Sequence, residues 1–223
     1  ENPKYVFNVG EAGLDNIKKL KLLTKEEFEK SINFKLNKRN ILVTFHPVTL
    51  ENSTAKVQFK EILDALDELT ETNIIFTKAN SDTDGRIINQ MIDEYTSINN
   101  HKSIGFMSLG QLRYLSSLQY VDAVVGNSSS GIVEAPSFKI TTINIGDRQK
   151  GRIQAGSIIN CIPKKENILK AFNIGFSKDF RKNLPDILNP YGDGGSSIKI
   201  HHILKNIKIE EILKKTFYDI GVN

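Results

Sequence analysis

The sequence predicts an α/β fold, a parallel sheet with helices on both faces, and three observations carry that expectation. From Asn40 onward, short apolar runs alternate regularly with amphipathic stretches. The stretches between runs have ordinary helix length, which requires crossover connections of right-handed sense and makes the strands parallel. The chain of 223 residues is long enough for one large α/β domain with a full core and short for two.

Taken in order, Tyr5 to Val9 reads as a strand, followed by Gly10-Glu11-Ala12-Gly13 and a lysine-rich helical stretch from Asp15 to Leu23. Thr24-Lys25-Glu26-Glu27 has the form of a capping box and opens another short helix. Ile41 to Phe45 is a strand, and Thr54 to Leu69 an amphipathic helix with Phe59, Ile62, Leu63, Leu66 and Leu69 on one face. Asn73 to Thr77 is the next strand, the polar turn Lys78 to Gly85 follows, and a helix runs from Arg86 to about Tyr95. Lys102 to Phe106 is a strand and Ser108 to Ser117 a helix. Val121 to Val125 reads as a buried strand that breaks at Gly126 into Asn127-Ser128-Ser129-Ser130-Gly131, with a helix from Ile132 to Phe138. Lys139 to Ile145 and Ser157 to Cys161 are the last strands, and the tail is helical with one break at Asn189 to Ser196.

Composition narrows the classes. No apolar run approaches membrane-spanning length, and Glu1-Asn2-Pro3-Lys4 lacks a basic region followed by an apolar one, so a soluble cytoplasmic protein is expected, with no membrane partner. The start carries no initiator methionine, which reads as a fragment. The lone Cys161 excludes an internal disulfide framework, fits a reducing cytosol, and sits in an apolar run that suggests burial. Thirty basic against 26 acidic residues give a net charge of +4, with lysines scattered rather than gathered with aromatics; a small anionic ligand fits this better than nucleic acid does. No metal or cofactor is implied.

In a parallel sheet ligands bind outside the carboxyl ends of the strands. The chemistry-bearing residues fall there: His46 after the first core strand, Asn80 after the second, Ser128 and Ser129 after the fifth run, Arg148 after the sixth. Serine hydroxyls and unpaired N–H groups at a helix start form a seat for phosphate. Taken alone that motif is an ordinary serine cap, just as His46-Pro47 suits a structural loop, Asn80 a turn and Arg148 to Arg152 a solvated basic loop. Their convergence on one edge is what points to a site. Glu134, one turn into the helix, would oppose a phosphate but could accept hydrogen bonds from a ribose diol. Tyr114, in the preceding helix, could be a core ring or could stack on a base.

His46-Pro47-Val48-Thr49, Gly126 to Gly131 with Glu134, and Gly146-Asp147-Arg148-Gln149-Lys150-Gly151-Arg152 together resemble the signatures of the UDP-N-acetylglucosamine 2-epimerases. Asn189-Pro190-Tyr191-Gly192-Asp193-Gly194 and Gly13-Leu14-Asp15-Asn16-Ile17 are similar to further motifs of that family, and the resemblance covers nearly the whole chain. The His-Pro-Val-Thr strand end resembles the hydrolysing members of sialic-acid-type pathways.

The resemblance implies one Rossmann-like half of a GT-B-type two-domain enzyme, the carboxyl-terminal and nucleotide-holding one. Residues 1–223 would then be a single nucleotide-binding domain, with 1–39 a helical lead-in from an amino-terminal domain and 196–223 a helical tail. It further implies that Ser128, Ser129 and Gly131 hold the diphosphate of a UDP-sugar, Glu134 the ribose, Tyr114 the uracil side and Asn80 the pocket wall, while Arg148 offsets phosphate charge and His46 supports departure of UDP. Asp147 departs from the family's usual neutral residue and would neutralise Arg148 in part. The proton-moving carboxylates would come from the amino-terminal domain, so this stretch alone is expected to bind UDP without turnover. The full-length protein is expected to be a homo-oligomer. The alternatives are a diacetamido-trideoxy UDP-sugar as substrate, non-hydrolysing epimerisation, a GT-B glycosyltransferase, or a nucleotide-binding module without chemistry.

Overall fold

The computed structural model describes residues 2–48, 54–80, 83–207 and 217–219. Thr49 of the His-Pro motif, Ser81 and Asp82 of the predicted polar turn, and most of the tail beyond residue 207 lie outside the described residues. The chain divides into two compact units, Leu20–Pro190 and a smaller one formed by Glu1–Lys19 with Tyr191–Asn223.

Among its described residues the larger unit has six strands, β1 (Arg39–Thr44), β2 (Thr72–Thr77), β3 (Ser103–Phe106), β4 (Ala123–Gly126), β5 (Thr141–Ile145) and β6 (Ile158–Cys161). Among the described residues the helices are α1 (Asp15–Lys19), α2 (Lys25–Ile32), α3 (Ala55–Asp67), α4 (Thr83–Ile98), α5 (Gly110–Ser117), α6 (Ser130–Val133), α7 (Lys165–Gly175), α8 (Lys178–Asn183) and α9 (Ser196–Asn206). All strand pairs are parallel, in the order β3-β2-β1-β4-β5-β6. The chain winds outward from β1 to β3, returns to the middle and winds outward again from β4. The loops leaving β1 and β4 therefore diverge to opposite faces, and a crevice opens between them.

Strand periodicity sends alternate side chains to the two faces. On one face Ile41 and Val43, then Ile74 and Phe76, Ala123 and Val125, and Ile143 and Ile145 pack with the apolar stripes of α3, α4 and α7. Phe59 of α3 lies at the centre, stacked on Phe45 at 6.0 Å and edge-on to Phe76 at 6.5 Å. The capping box is present as read, with Thr24 Oγ1 accepting from Glu27 N–H at 3.2 Å and Glu27 accepting from Thr24 N–H at 2.8 Å.

Several predicted elements differ; the helix read over Asp15 to Leu23 stops at Lys19, and α4 begins at Thr83 inside the turn read to Gly85. Tyr5 to Val9 is not a strand: Asn2 caps a 3-10 turn at Pro3–Tyr5, and Val6 and Phe7 are exposed. The stretch Ile132 to Phe138 is not one helix, because Pro136 has no N–H for the helical ladder; α6 stops at Val133 and continues as a 3-10 turn, Ala135–Phe138. Lys139 closes that turn in the left-handed region at φ 57°, so β5 starts at Thr141 rather than Lys139.

In the smaller unit the buried Asp15 carboxylate caps α9, accepting from Ser196 N–H and Ser197 N–H at 2.9 Å each and from the Ser197 hydroxyl. The Gly13–Ile17 and Tyr191–Gly194 motifs of the sequence flank this junction. The Ser197 hydroxyl, then the Ser197 and Ser196 amides, hold the Asp15 carboxyl well below the usual carboxylate range. A lowered folded-state pKa contributes stability that is fully present above the unfolded value, near 3.9, and is lost only as pH falls through the folded value. Amide protection at Ser196 and Ser197 is accordingly expected to persist at pH 4 and to drop at neutral pH in Asp15→Asn. Hydrogen exchange followed by NMR reads both, and equal protection in the variant would refute the cap.

Candidate functional site

The site is built where β1 and β4 end side by side. Thr44 pairs with Gly126, whose φ is +126°, and a Cβ at Gly126 would lie 1.9 Å from the Thr44 carbonyl oxygen. No side chain fits there, so glycine is what lets the two strand ends approach. The Asn127 N–H donates to that same carbonyl at 3.2 Å.

Beyond this point the ladder has ended and the Asn127 carboxamide takes its place. Its Oδ1 accepts from His46 N–H and its Nδ2 donates to the His46 carbonyl, both at 2.7 Å. The Asn127 carbonyl accepts from Gln149 Nε2 at 2.7 Å and from Arg148 Nη1 at 3.0 Å. Asn127 and Gln149 are buried, at 1% and 3% exposure, whereas Arg148 is exposed. Asp147 makes no ion pair with Arg148 among the described residues, so the expected neutralisation of the guanidinium by its neighbour does not take that form.

The serines that follow are only partly spent on capping. Ser128 Oγ accepts from Ser130 N–H at a long 3.4 Å, and Ser129, at the cap position of α6, makes no side-chain cap bond. The Ser128 and Ser129 N–H groups donate to no protein acceptor among the described residues. A helix of one turn carries little aligned dipole, so an anion here would be held by these N–H groups, the two hydroxyls and Arg148 rather than by a helix field. Gly131 packs the turn onto β5: Thr142 Oγ1 donates to its carbonyl at 2.7 Å, and a Cβ would meet Thr142 Cγ2 at 2.9 Å.

Glu134 closes the α6 turn, half-buried, its N–H bonded to the Ser130 carbonyl at 3.0 Å. Tyr114 of α5 reaches the same turn, its phenol hydrogen-bonded to the Ser130 hydroxyl. Burial, and to a lesser extent the Glu134 charge, keeps the phenol protonated well above its ordinary range, although the Ser130 contact works the other way. Asn80 lies at the end of β2, exposed, and among the described residues no hydrogen bond joins it to the other candidates. Its neighbour Ala79 is clamped by Asn89 of α4 through bonds of 2.8 and 3.1 Å, so the β2 turn is held by the same carboxamide device as the β1 turn.

The 146–152 loop has two sides. Arg148 and Gln149 grip Asn127, while Asp147, Lys150 and Arg152 line a cleft of about 940 Å³ floored by Asn144, Ile159 and Asn160. None of the eight candidate residues lines that cleft; the strand-end geometry, rather than cavity size, is what brings His46, Ser128, Ser129 and Arg148 together. Cys161 also faces it and is only partly buried, with its thiol pushed up to about 11 by burial, which makes it a poor nucleophile at neutral pH. Among the described residues no helix is long and apolar enough to cross a membrane.

Comparison with known proteins bears on this arrangement. A family model described as UDP-N-acetylglucosamine 2-epimerase matches residues 1–205. The chain is 41% identical over 221 residues to the GDP/UDP-N,N'-diacetylbacillosamine 2-epimerase (hydrolyzing) of Campylobacter jejuni, covering 99% of this chain and 57% of that protein. It is 36% identical over 222 residues to polysialic acid biosynthesis protein P7 of Escherichia coli, covering 99% and 56%. Among solved structures, the S. aureus MnaA-UDP co-structure superposes with a TM-score of 0.71 at 19% identity, covering 99% of this chain and 58% of that one. The chain spans a little over half the length of the curated relatives it matches. Its fold is the Rossmann-like, parallel-sheet half of a GT-B-type architecture. By the match over residues 1–205 and the identity to full-length relatives, the chain belongs to the UDP-N-acetylglucosamine 2-epimerase family.

Proposed function

We propose that this chain is the UDP-holding part of a hydrolysing 2-epimerase that converts a UDP-linked 2-acetamido sugar into the free 2-epimer and UDP. The carrying observation is the pair of unspent Ser128 and Ser129 N–H groups in the turn whose Asn127 carbonyl anchors Arg148, one turn from Glu134. In this reading the serines and amides take the diphosphate, Arg148 offsets its charge, Glu134 accepts from the ribose hydroxyls, and His46 supports the leaving group. Tyr114 and Asn80 border the nucleotide.

The reaction is elimination followed by hydration. A base removes the proton from sugar C2 as the C1–O bond breaks and the electron pair leaves with UDP, giving a glycal. Water then adds across the double bond, with the new C2–H on the opposite face. The C2 proton is weakly acidic, so stabilising the departing diphosphate carries much of the barrier, which is what preorganised donors do. The proton-moving groups belong, in this reading, to an amino-terminal domain of the whole protein. UDP-N-acetylglucosamine is the substrate that the sequence motifs favour. A second reading, a UDP-linked diacetamido sugar, is favoured by the 41% identity to the C. jejuni enzyme.

Calorimetric titration with UDP tests the site. Glu134→Ala and Arg148→Ala each remove a charged hydrogen-bonding partner and are expected to weaken binding about tenfold or more. Wild-type affinity in both variants would refute the residue assignment, and absence of binding by the wild-type chain would refute the site itself.

A further inference from the structure

Asn127 opens the serine turn and Gln149 stands in the middle of the basic loop, yet neither is available to a ligand. Both polar atoms of the Asn127 side chain are spent on the His46 main chain, and the Gln149 amide is spent on the Asn127 carbonyl. Both residues are buried. Three loops that leave three different strands, β1, β4 and β5, thus meet at one peptide unit.

We propose that Asn127 and Gln149 are positioning residues that set the spacing of His46, the Ser128–Ser129 amides and the Arg148 guanidinium. The inference rests on the nucleotide reading above. Without the Asn127 carboxamide the His46 main chain loses two bonds to the turn after β4, and without the Gln149 amide Arg148 is the remaining side-chain donor to the Asn127 carbonyl among the described residues. A guanidinium that must satisfy a buried carbonyl is held in one orientation; a second donor on that carbonyl fixes the peptide against which it is held. Gln149 accordingly acts on bound phosphate only through Asn127 and Arg148.

This yields a signature that a merely structural residue lacks. Gln149→Leu keeps the volume and removes the donor, and is expected to weaken UDP binding on the order of fivefold. In the Arg148→Ala background Gln149 is the remaining side-chain donor to the Asn127 carbonyl among the described residues, so the same change is expected to weaken binding more than it does alone. Gln149→Glu supplies a second readout should the leucine variant fold poorly. At pH 8 its carboxylate faces the Asn127 carbonyl without a proton, whereas a protonated carboxyl can donate to that carbonyl as the amide does. Its UDP affinity relative to wild type, titrated at each pH, is therefore expected to recover as pH falls from 8 to 5. Folded Gln149→Leu with wild-type affinity, full additivity with Arg148→Ala, or a flat relative pH profile for Gln149→Glu would each overturn the inference while leaving the nucleotide site standing. Absence of UDP binding by the wild-type chain would overturn both.

Discussion

Gly126→Ala is expected to leave the sheet unit unfolded, or to lower its unfolding midpoint by about 10 °C or more, the response to a loss of roughly 4 kcal/mol in a domain of this size. The new methyl would sit 1.9 Å from the Thr44 carbonyl oxygen and 2.7 Å from its carbon, and those atoms are backbone that cannot rotate aside. The residue also sits at φ +126°, where a Cβ is strained whatever space surrounds it. Relief would require β1 and β4 to part at the middle of the sheet, with the loss of the Asn127 N–H bond to Thr44 and the displacement of both strand ends of the site. Differential scanning fluorimetry checks this directly. A midpoint within 2 °C of wild type would mean that the strands accommodate the methyl and that the close approach is not required.

Phe59→Ala is the second large effect, expected to cost about 3–5 kcal/mol through lost burial and the cavity left behind. Phe59 is fully buried between Phe45 and Phe76, and Phe76 continues to Tyr95 at 5.6 Å, so the ring links α3 to the residue after β1 and to β2, and through Phe76 to α4. Val57 lies two residues earlier on the same helix and is 59% exposed. Val57→Ala is therefore expected to change stability by no more than about 0.5 kcal/mol. Chemical denaturation of the two variants, compared at equal m-value, separates the faces of α3; similar losses in both would contradict the packing described.

The sheet was legible because buried parallel strands leave a local signal. Ile41 to Phe45, Asn73 to Thr77 and Lys102 to Phe106 fall within a residue or two of β1, β2 and β3, and the crossovers between them allow one direction only. Tyr5 to Val9 carries the same apolar signal without the outcome, because a strand needs a neighbour's edge and nothing local in sequence says whether one is present. The predicted helix from Ile132 to Phe138 fails for a different reason: it runs through Pro136, which has no N–H for the helical ladder and ends α6 at Val133. Within the site, glycine, serine and arginine were legible by type. Asn127 and Gln149 stand inside the motifs without marking themselves, since carboxamides serve ligands and main chain equally well and only the fold tells which. A buried carboxamide between a positive-φ glycine and a serine turn is the signal that could have found the first. Asn89, which clamps Ala79 from a helix, left no such mark.

The Asp15 cap also bears on the order in which the molecule assembles. Asp15 and Ser196 are 181 residues apart, whereas the sheet closes entirely within Leu20–Pro190. During vectorial synthesis the carboxylate leaves the ribosome long before the amides it binds exist, and a loop of that span must close before the junction yields any stabilisation. The small unit is consequently the last to form, and its amino-terminal segment stays charged and uncapped until Ser196 and Ser197 have been made.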